Sequence, residues 1–197
     1  MKLKLSSRSP EPVPESASLR PGRDGEAVKP LLLIDTLRRW AEEIRRAIDT
    51  EVKIEDVLPR ETAIEVPEER FAYLLTLIYR LLSVSPQLGD PSVRAEGRGD
   101  AIAVVFAAEK TGSEAIRLSG RGALGVSDHY LRLIARDLAA IGAAWYFDET
   151  RDRFSVVISL ARSEADVSRL LAPIPDGIAR AVREALRDAD DLLRRSR

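Results

Sequence analysis

From residue 31 onward the chain switches repeatedly between a helical and a strand-like period of apolar positions, and the order of these stretches predicts a fold. Ile34, Leu37, Ala41, Ile44 and Ile48 fall on one stripe, with Arg38, Arg39, Glu42 and Glu43 opposite, which predicts an amphipathic helix over 31–48. Val52, Ile54 and Asp56 then alternate with Lys53 and Glu55. Pro59 and Arg60 interrupt, and Thr62, Ile64 and Val66 alternate again, so two short strands are expected. Pro67 suits a first helical turn, and Glu68 and Glu69 carry the charge that a helix N-terminus favours. In the helix that follows, over 68–83, Phe71, Leu74, Leu75, Leu77, Ile78, Leu81 and Leu82 cover more than one stripe. Such a helix has little solvent face, so it is expected to be the central core helix.

Residues 93–96 and 101–108 flank the polar turn Gly97-Arg98-Gly99-Asp100 and read as a hairpin with Ile102, Val104 and Phe106 facing the core. Residues 110–125 carry Gly112, Gly120, Gly122 and Gly125 with few apolar anchors, the character of a functional lid. Ser127 or Asp128 can cap a third helix whose stripe is Leu131, Ile134, Leu138 and Ile141, ending at Gly142. Residues 144–147 and 154–160 pair as a terminal hairpin. Beyond Pro173 and Pro175 a last helix, 176–195, spaces Ile178, Val182, Ala185, Ala189 and Leu192 like a coiled-coil seam, so it either packs back or forms a homodimer contact.

These elements predict an α+β two-layer sandwich, a mixed and mostly antiparallel sheet covered on one face by helices 31–48, 68–83 and 128–141. Residues 1–30, rich in Ser, Pro, Glu, Arg and Gly, are expected to form a disordered tail. The folded unit is then 31–162, and 163–197 is a helical extension.

Composition narrows the chemistry. With 197 residues, 45% of them hydrophobic, the chain can bury one substantial core. Thirty-one Lys and Arg against 32 Asp and Glu leave no global field for nucleic acid, so no nucleic-acid partner is expected. No run approaches the roughly 18 apolar residues of a membrane span, and the start lacks a signal-peptide core, so the expectation is a cytoplasmic protein without a membrane partner. Zero Cys and a single histidine, His129, exclude thiol nucleophiles, Cys/His zinc sites and disulfides. No metal site is expected. The chain also has no asparagine, and Gln87 stands alone, a depletion that a hot habitat or a biased genome also produces.

The order helix, two strands, core helix, hairpin, glycine-rich stretch, helix, hairpin resembles the ATP-binding lobe of sensor histidine kinases, of the GHKL ATPase class. The resemblance spans about 31–160. Its best local matches are 51–82 and 129–160, where Leu131-Arg132-Leu133-Ile134-Ala135-Arg136 through Ile141-Gly142 leads into the last hairpin. In that family the core helix carries two asparagines, the second holding magnesium between the ATP phosphates. The resemblance sets those positions near Leu77 and Leu81, and leucine offers no oxygen ligand. The family's adenine-binding aspartate box corresponds to Ala107-Ala108-Glu109-Lys110-Thr111-Gly112, where Gly112 survives and Glu109 is an out-of-register stand-in. The last glycine box corresponds to Ser127-Asp128-His129-Tyr130, where an aspartate would repel phosphate. No counterpart of the dimerising, phosphoaccepting hairpin precedes residue 31. The resemblance therefore implies a degenerate lobe, non-catalytic and without a cofactor, that binds a response regulator, a kinase or another signalling protein. Weak ATP binding at Glu109, Gly112, Gly120, Gly122 and Gly125 is the alternative.

Three further signals compete. Gly120-Arg121-Gly122-Ala123-Leu124-Gly125 spells a dinucleotide fingerprint with Asp148 downstream, but 125–142 is long for the crossover helix and the next strand turns straight into another strand. His129 beside Asp128 is the candidate phosphoacceptor of a phosphorelay. Arg94, Arg98, Arg117 and Arg121 surround the glycine-rich stretch as candidate contacts for an anion or an acidic partner.

Overall fold

A computed structural model describes residues 28–112, 128–163 and 175–196. The chain runs β1 (Lys29–Leu32), α1 (Leu33–Ile48), β2 (Lys53–Asp56), β3 (Ala63–Val66), α2 (Glu68–Ser83), β4 (Ser92–Arg98), β5 (Ala101–Glu109), α3 (Asp128–Ala140), β6 (Ala144–Glu149), β7 (Arg153–Ala161) and α4 (Pro175–Ser196). Five strands form one sheet in the order β2-β4-β5-β7-β6, with β2 parallel to β4 and every other pair antiparallel. The α+β layout with a mixed, mostly antiparallel sheet is thus the expected one.

The start of the folded unit differs from the sequence reading. Lys29 and Pro30 are not tail, and Leu31 and Leu32 are not helix. All four pair antiparallel with β3, Leu31 opposite Ile64 and Leu32 opposite Ala63. Leu33 N–H continues the connection to the Thr62 carbonyl at 3.0 Å. Long-range strand pairing outweighs the local helical period here. The strands flanking residue 60 also part company: β2 joins the main sheet, while β3 joins β1.

Local chemistry explains the boundaries. Asp49 closes α1 at φ 53, returning its N–H to the Arg45 carbonyl. Pro67 is the extended residue just before α2, and its carbonyl accepts from Phe71 N–H at 2.9 Å. The β4–β5 turn is tighter than expected, because Arg98 pairs with Ala101 and only Gly99 and Asp100 remain as loop. Gly99 has φ 61 at the first central position, which a side chain would resist.

The core lies between the sheet and the helices. From the sheet come Val93, Ala95, Ile102, Val104, Phe106, Ala108, Phe154, Val156, Ile158 and Leu160. Trp40 sits at its centre, edge-on to Tyr79 and Phe106, and its indole N–H donates to Thr76 Oγ1 at 2.9 Å. The three predicted helices are joined by a fourth. Along α4, Ile178, Val182, Ala185, Leu186 and Ala189 are buried, and its packing partners are α1 and α2. The seam-like stripe of 176–195 is therefore spent within the chain.

Candidate functional site: the core helix and the segment that follows β5

α2 is enclosed from several directions. At 3.6 residues per turn Phe71, Leu75, Ile78 and Leu82 share the sheet-side arc, and Glu69, Tyr73 and Arg80 share the opposite one. Leu77 and Leu81 lie between α4's arc and the sheet, beside α3, and each is fully buried. From α3 the Tyr130 hydroxyl donates to the Leu77 carbonyl at 2.7 Å. Burial holds the Tyr130 phenol well above its ordinary pKa, so it stays a neutral donor. Arg70 on α2 and Asp137 on α3 stand 3.6 Å apart, a second tie between the two helices. At the two positions named in the resemblance this chain has apolar side chains, and both are fully buried.

At the end of β5, Ala108 points inward and is 2% exposed, so its methyl group contributes to the core. Glu109 is exposed and pairs across the ladder with Arg153, while its carbonyl accepts from Gly89 N–H at 2.8 Å. The Lys110 side chain is 4% exposed, and its ammonium lies 2.7 Å from Glu149 Oε1, joining the ends of β5 and β6. Thr111 N–H donates to the Gln87 carbonyl at 2.9 Å, and none of the described residues crowds Gly112. These bonds tie the root of the glycine-rich stretch to the α2–β4 loop. Gly120, Gly122, Gly125, Arg117 and Arg121 lie outside the described residues. His129 lies in the first turn of α3, and its side chain too is outside them. After α3 the chain turns straight from β6 into antiparallel β7, so the parallel strand–helix–strand unit of the dinucleotide fingerprint is absent from that part of the fold.

Arg94 and Arg98 do come together, but on a carboxylate of this chain. Arg94 Nη2 is 3.3 Å from Glu96 Oε2, and Arg98 contacts Glu96 Oε1. Arg98 also donates to the Tyr146 hydroxyl, and its guanidinium lies 5.9 Å from that ring's centroid. β4 and β6 are separated by β5 and β7, so this contact crosses the sheet's outer face, the face that carries Ala103, Val105, Ala107 and Val157, each at most 3% exposed.

Sequence reasoning missed the polar contacts between α2 and α4. Tyr73 Oη donates to Asp188 Oδ2 at 2.9 Å, Arg80 reaches Asp190 Oδ1 at 2.8 Å, and Arg180 pairs with Glu69. Burial first, and Asp188 second, raise the Tyr73 pKa strongly. The available signal was the recurrence of Glu69, Tyr73 and Arg80 on one arc of an otherwise apolar helix.

No protein-family model and no curated protein matches the sequence. Solved structures do. A histidine kinase from Burkholderia phymatum is 13% identical, with 68% of this chain and 71% of that chain covered and a TM-score of 0.50. The crystal structure of full-length ShkA in complex with AMPPNP is 18% identical at a TM-score of 0.50, covering 76% of this chain and 32% of that one. At these identities the likeness concerns the fold. The fold is that of the histidine-kinase-like ATPase lobe.

Proposed function

We propose that this chain is a non-catalytic histidine-kinase-like module that works by binding another protein of a two-component signalling system, a response regulator or a kinase. The observation that carries this reading is the full burial of Leu77 and Leu81 on α2, sealed by the Tyr130 hydroxyl on the Leu77 carbonyl. Magnesium requires oxygen ligands in near-octahedral geometry, and no leucine side chain supplies one. Ala108 adds a second mismatch, because a methyl group cannot accept the hydrogen bond of an adenine amino group. The residues present therefore do not fit Mg-ATP in the manner of the related lobes, whose layout this fold keeps. A shared fold without such ligand groups is suited to recognition by a protein surface. Isothermal titration with Mg-ATP tests the reading. No binding is the expected result, and micromolar, magnesium-dependent binding would overturn it.

A further inference from the structure

The five-stranded sheet ends on β2 at one side and on β6 at the other, and the two edges are built differently. β2 has four residues, and Lys53, Glu55 and Asp56 make it charged, a common protection against unwanted strand pairing. β6 has six and begins Ala144-Trp145-Tyr146-Phe147, with no proline and no lysine. Its pairing with β7 runs from Ala144 to Glu149 without a bulge. Among the described residues no strand lies beyond it.

The hairpin fixes which backbone groups this edge offers. Thr150 N–H donates to the Arg153 carbonyl at 2.9 Å, so by alternation Ala144, Tyr146 and Asp148 turn their N–H and C=O groups toward β7. Trp145 and Phe147 turn theirs away from it. Their side chains lie half-buried on the helix-covered face, with ring centroids 4.8 Å apart, and Phe147 stacks on Phe154 of the core. Tyr146 stands on the outer face and is 43% exposed. The edge therefore presents outward-facing backbone groups at two aromatic residues, with a third aromatic ring between them.

We propose that β6 pairs antiparallel with β6 of a second copy of this chain, joining two five-stranded sheets into one. The edge is complementary to itself in one register. With Tyr146 opposite Tyr146 of the second copy, Trp145 stands opposite that copy's Phe147, and Phe147 opposite its Trp145. These are the residues whose backbone groups face outward, so each of the two pairs exchanges both its hydrogen bonds. Aromatic cross-strand pairs then form on both faces of the joined sheet. Asp148 meets Ala144 and Glu149 meets Ala143, so no like charges are opposed. Sliding to the next register either way loses the match, because Trp145 then meets Glu149 or Phe147 meets Ala143. One short edge buries less than the roughly 1,200 Å² of a standard interface, so the dimer forms at high chain concentration and exchanges rapidly. The pairing goes beyond the protein-binding reading and holds whether or not the chain binds nucleotide.

The chain has no cysteine, so single-cysteine variants of the full chain report the register directly. Opposed residues of a non-hydrogen-bonded antiparallel pair have Cα atoms about 4.5 Å apart, within disulfide reach. Tyr146→Cys is expected to give a disulfide-linked dimer under mild oxidation, and Asp148→Cys to stay monomeric. Sedimentation velocity of the unaltered chain is expected to show a dimer fraction that rises with concentration. Tyr146→Lys opposes two ammonium groups at the two-fold axis and lowers that fraction several-fold. Ala144→Lys faces Asp148 of the second copy and keeps the dimer. Both side chains are exposed, so each variant keeps its fold, which circular dichroism checks. An unaltered chain that remains monomeric up to roughly 1 mM overturns the proposal, as it would if the edge received an extended segment of a different protein. Equal cross-linking of the two cysteine variants also overturns it, as does a dimer that Tyr146→Lys leaves intact.

Discussion

The hydroxyl of Tyr130 on α3 donates to the backbone carbonyl of Leu77 on α2 at 2.7 Å, inside the core. The carbonyl has two lone pairs, one of which serves the helix ladder, so Tyr130 uses the second and pins α3 to the core helix beside Leu77 and Leu81.

Removing that donor tests the tie. Tyr130→Phe keeps the ring in place and deletes one buried hydrogen bond, for an expected loss of about 1 kcal/mol. Urea unfolding of the two proteins measures it, and an unchanged midpoint would mean that the bond contributes nothing.

Restoring asparagine to α2 separates a lost ligand from a lost site. Leu77→Asn and Leu81→Asn each place an amide in a fully buried position. Each is expected to cost roughly 2–4 kcal/mol, from lost apolar burial and an unsatisfied polar group. The double variant is expected to gain no magnesium-dependent ATP binding, because Ala108 still faces the core. Titration showing such binding would reverse the conclusion.

Alkaline pH reports on the buried phenols. Tyr73, Tyr79 and Tyr130 all have pKa values raised above the ordinary 10, each with burial as the leading cause. Their contribution to stability is fully present below the unfolded pKa and is lost as pH rises toward the folded values, because unfolding releases the protons. Stability is therefore expected to fall above about pH 10. Tyr73→Phe should flatten that fall. A variant with the same slope as the parent protein would exclude Tyr73 as a contributor.

The outer face of the sheet supplies a prediction of opposite scale. Arg98 is 46% exposed at the side chain, so Arg98→Ala is expected to cost under about 1 kcal/mol of stability. Its contacts to Glu96 and Tyr146 go with it, and thermal unfolding of the variant beside the parent protein measures the change. A loss of several kcal/mol would contradict the prediction.

His129 gives a direct check on the phosphorelay alternative. On the non-catalytic reading, incubation with a phosphorylated response regulator transfers no label to this chain, and His129→Ala changes nothing. Label on the parent chain that disappears from the variant would establish His129 as an acceptor.

Much of the architecture was legible because its signals are local. The all-round apolar character of α2, the two hairpins and the stripe of α3 were each read within a single window, and each matches the structure. Pairing between distant strands leaves no such mark: the helical period over 31–48 runs through Leu31 and Leu32, which β3 recruits into a strand. Arg94 and Arg98 show the same limit at the level of a site. Two arginines around a polar turn read as a candidate anion contact, yet all three of Arg94, Glu96 and Arg98 share one face of β4, and Glu96 between them takes both guanidinium groups.

By itself, the sequence determined the order and type of the elements after β1, and the absence of oxygen ligands at Leu77 and Leu81, since both follow from residue identity and period. The tertiary structure alone decided that those leucines are fully buried, that α4 lies along α2, and that Arg98 reaches Tyr146 across two strands. Each of these depends on which distant faces meet, and a side chain's period carries no record of its partner.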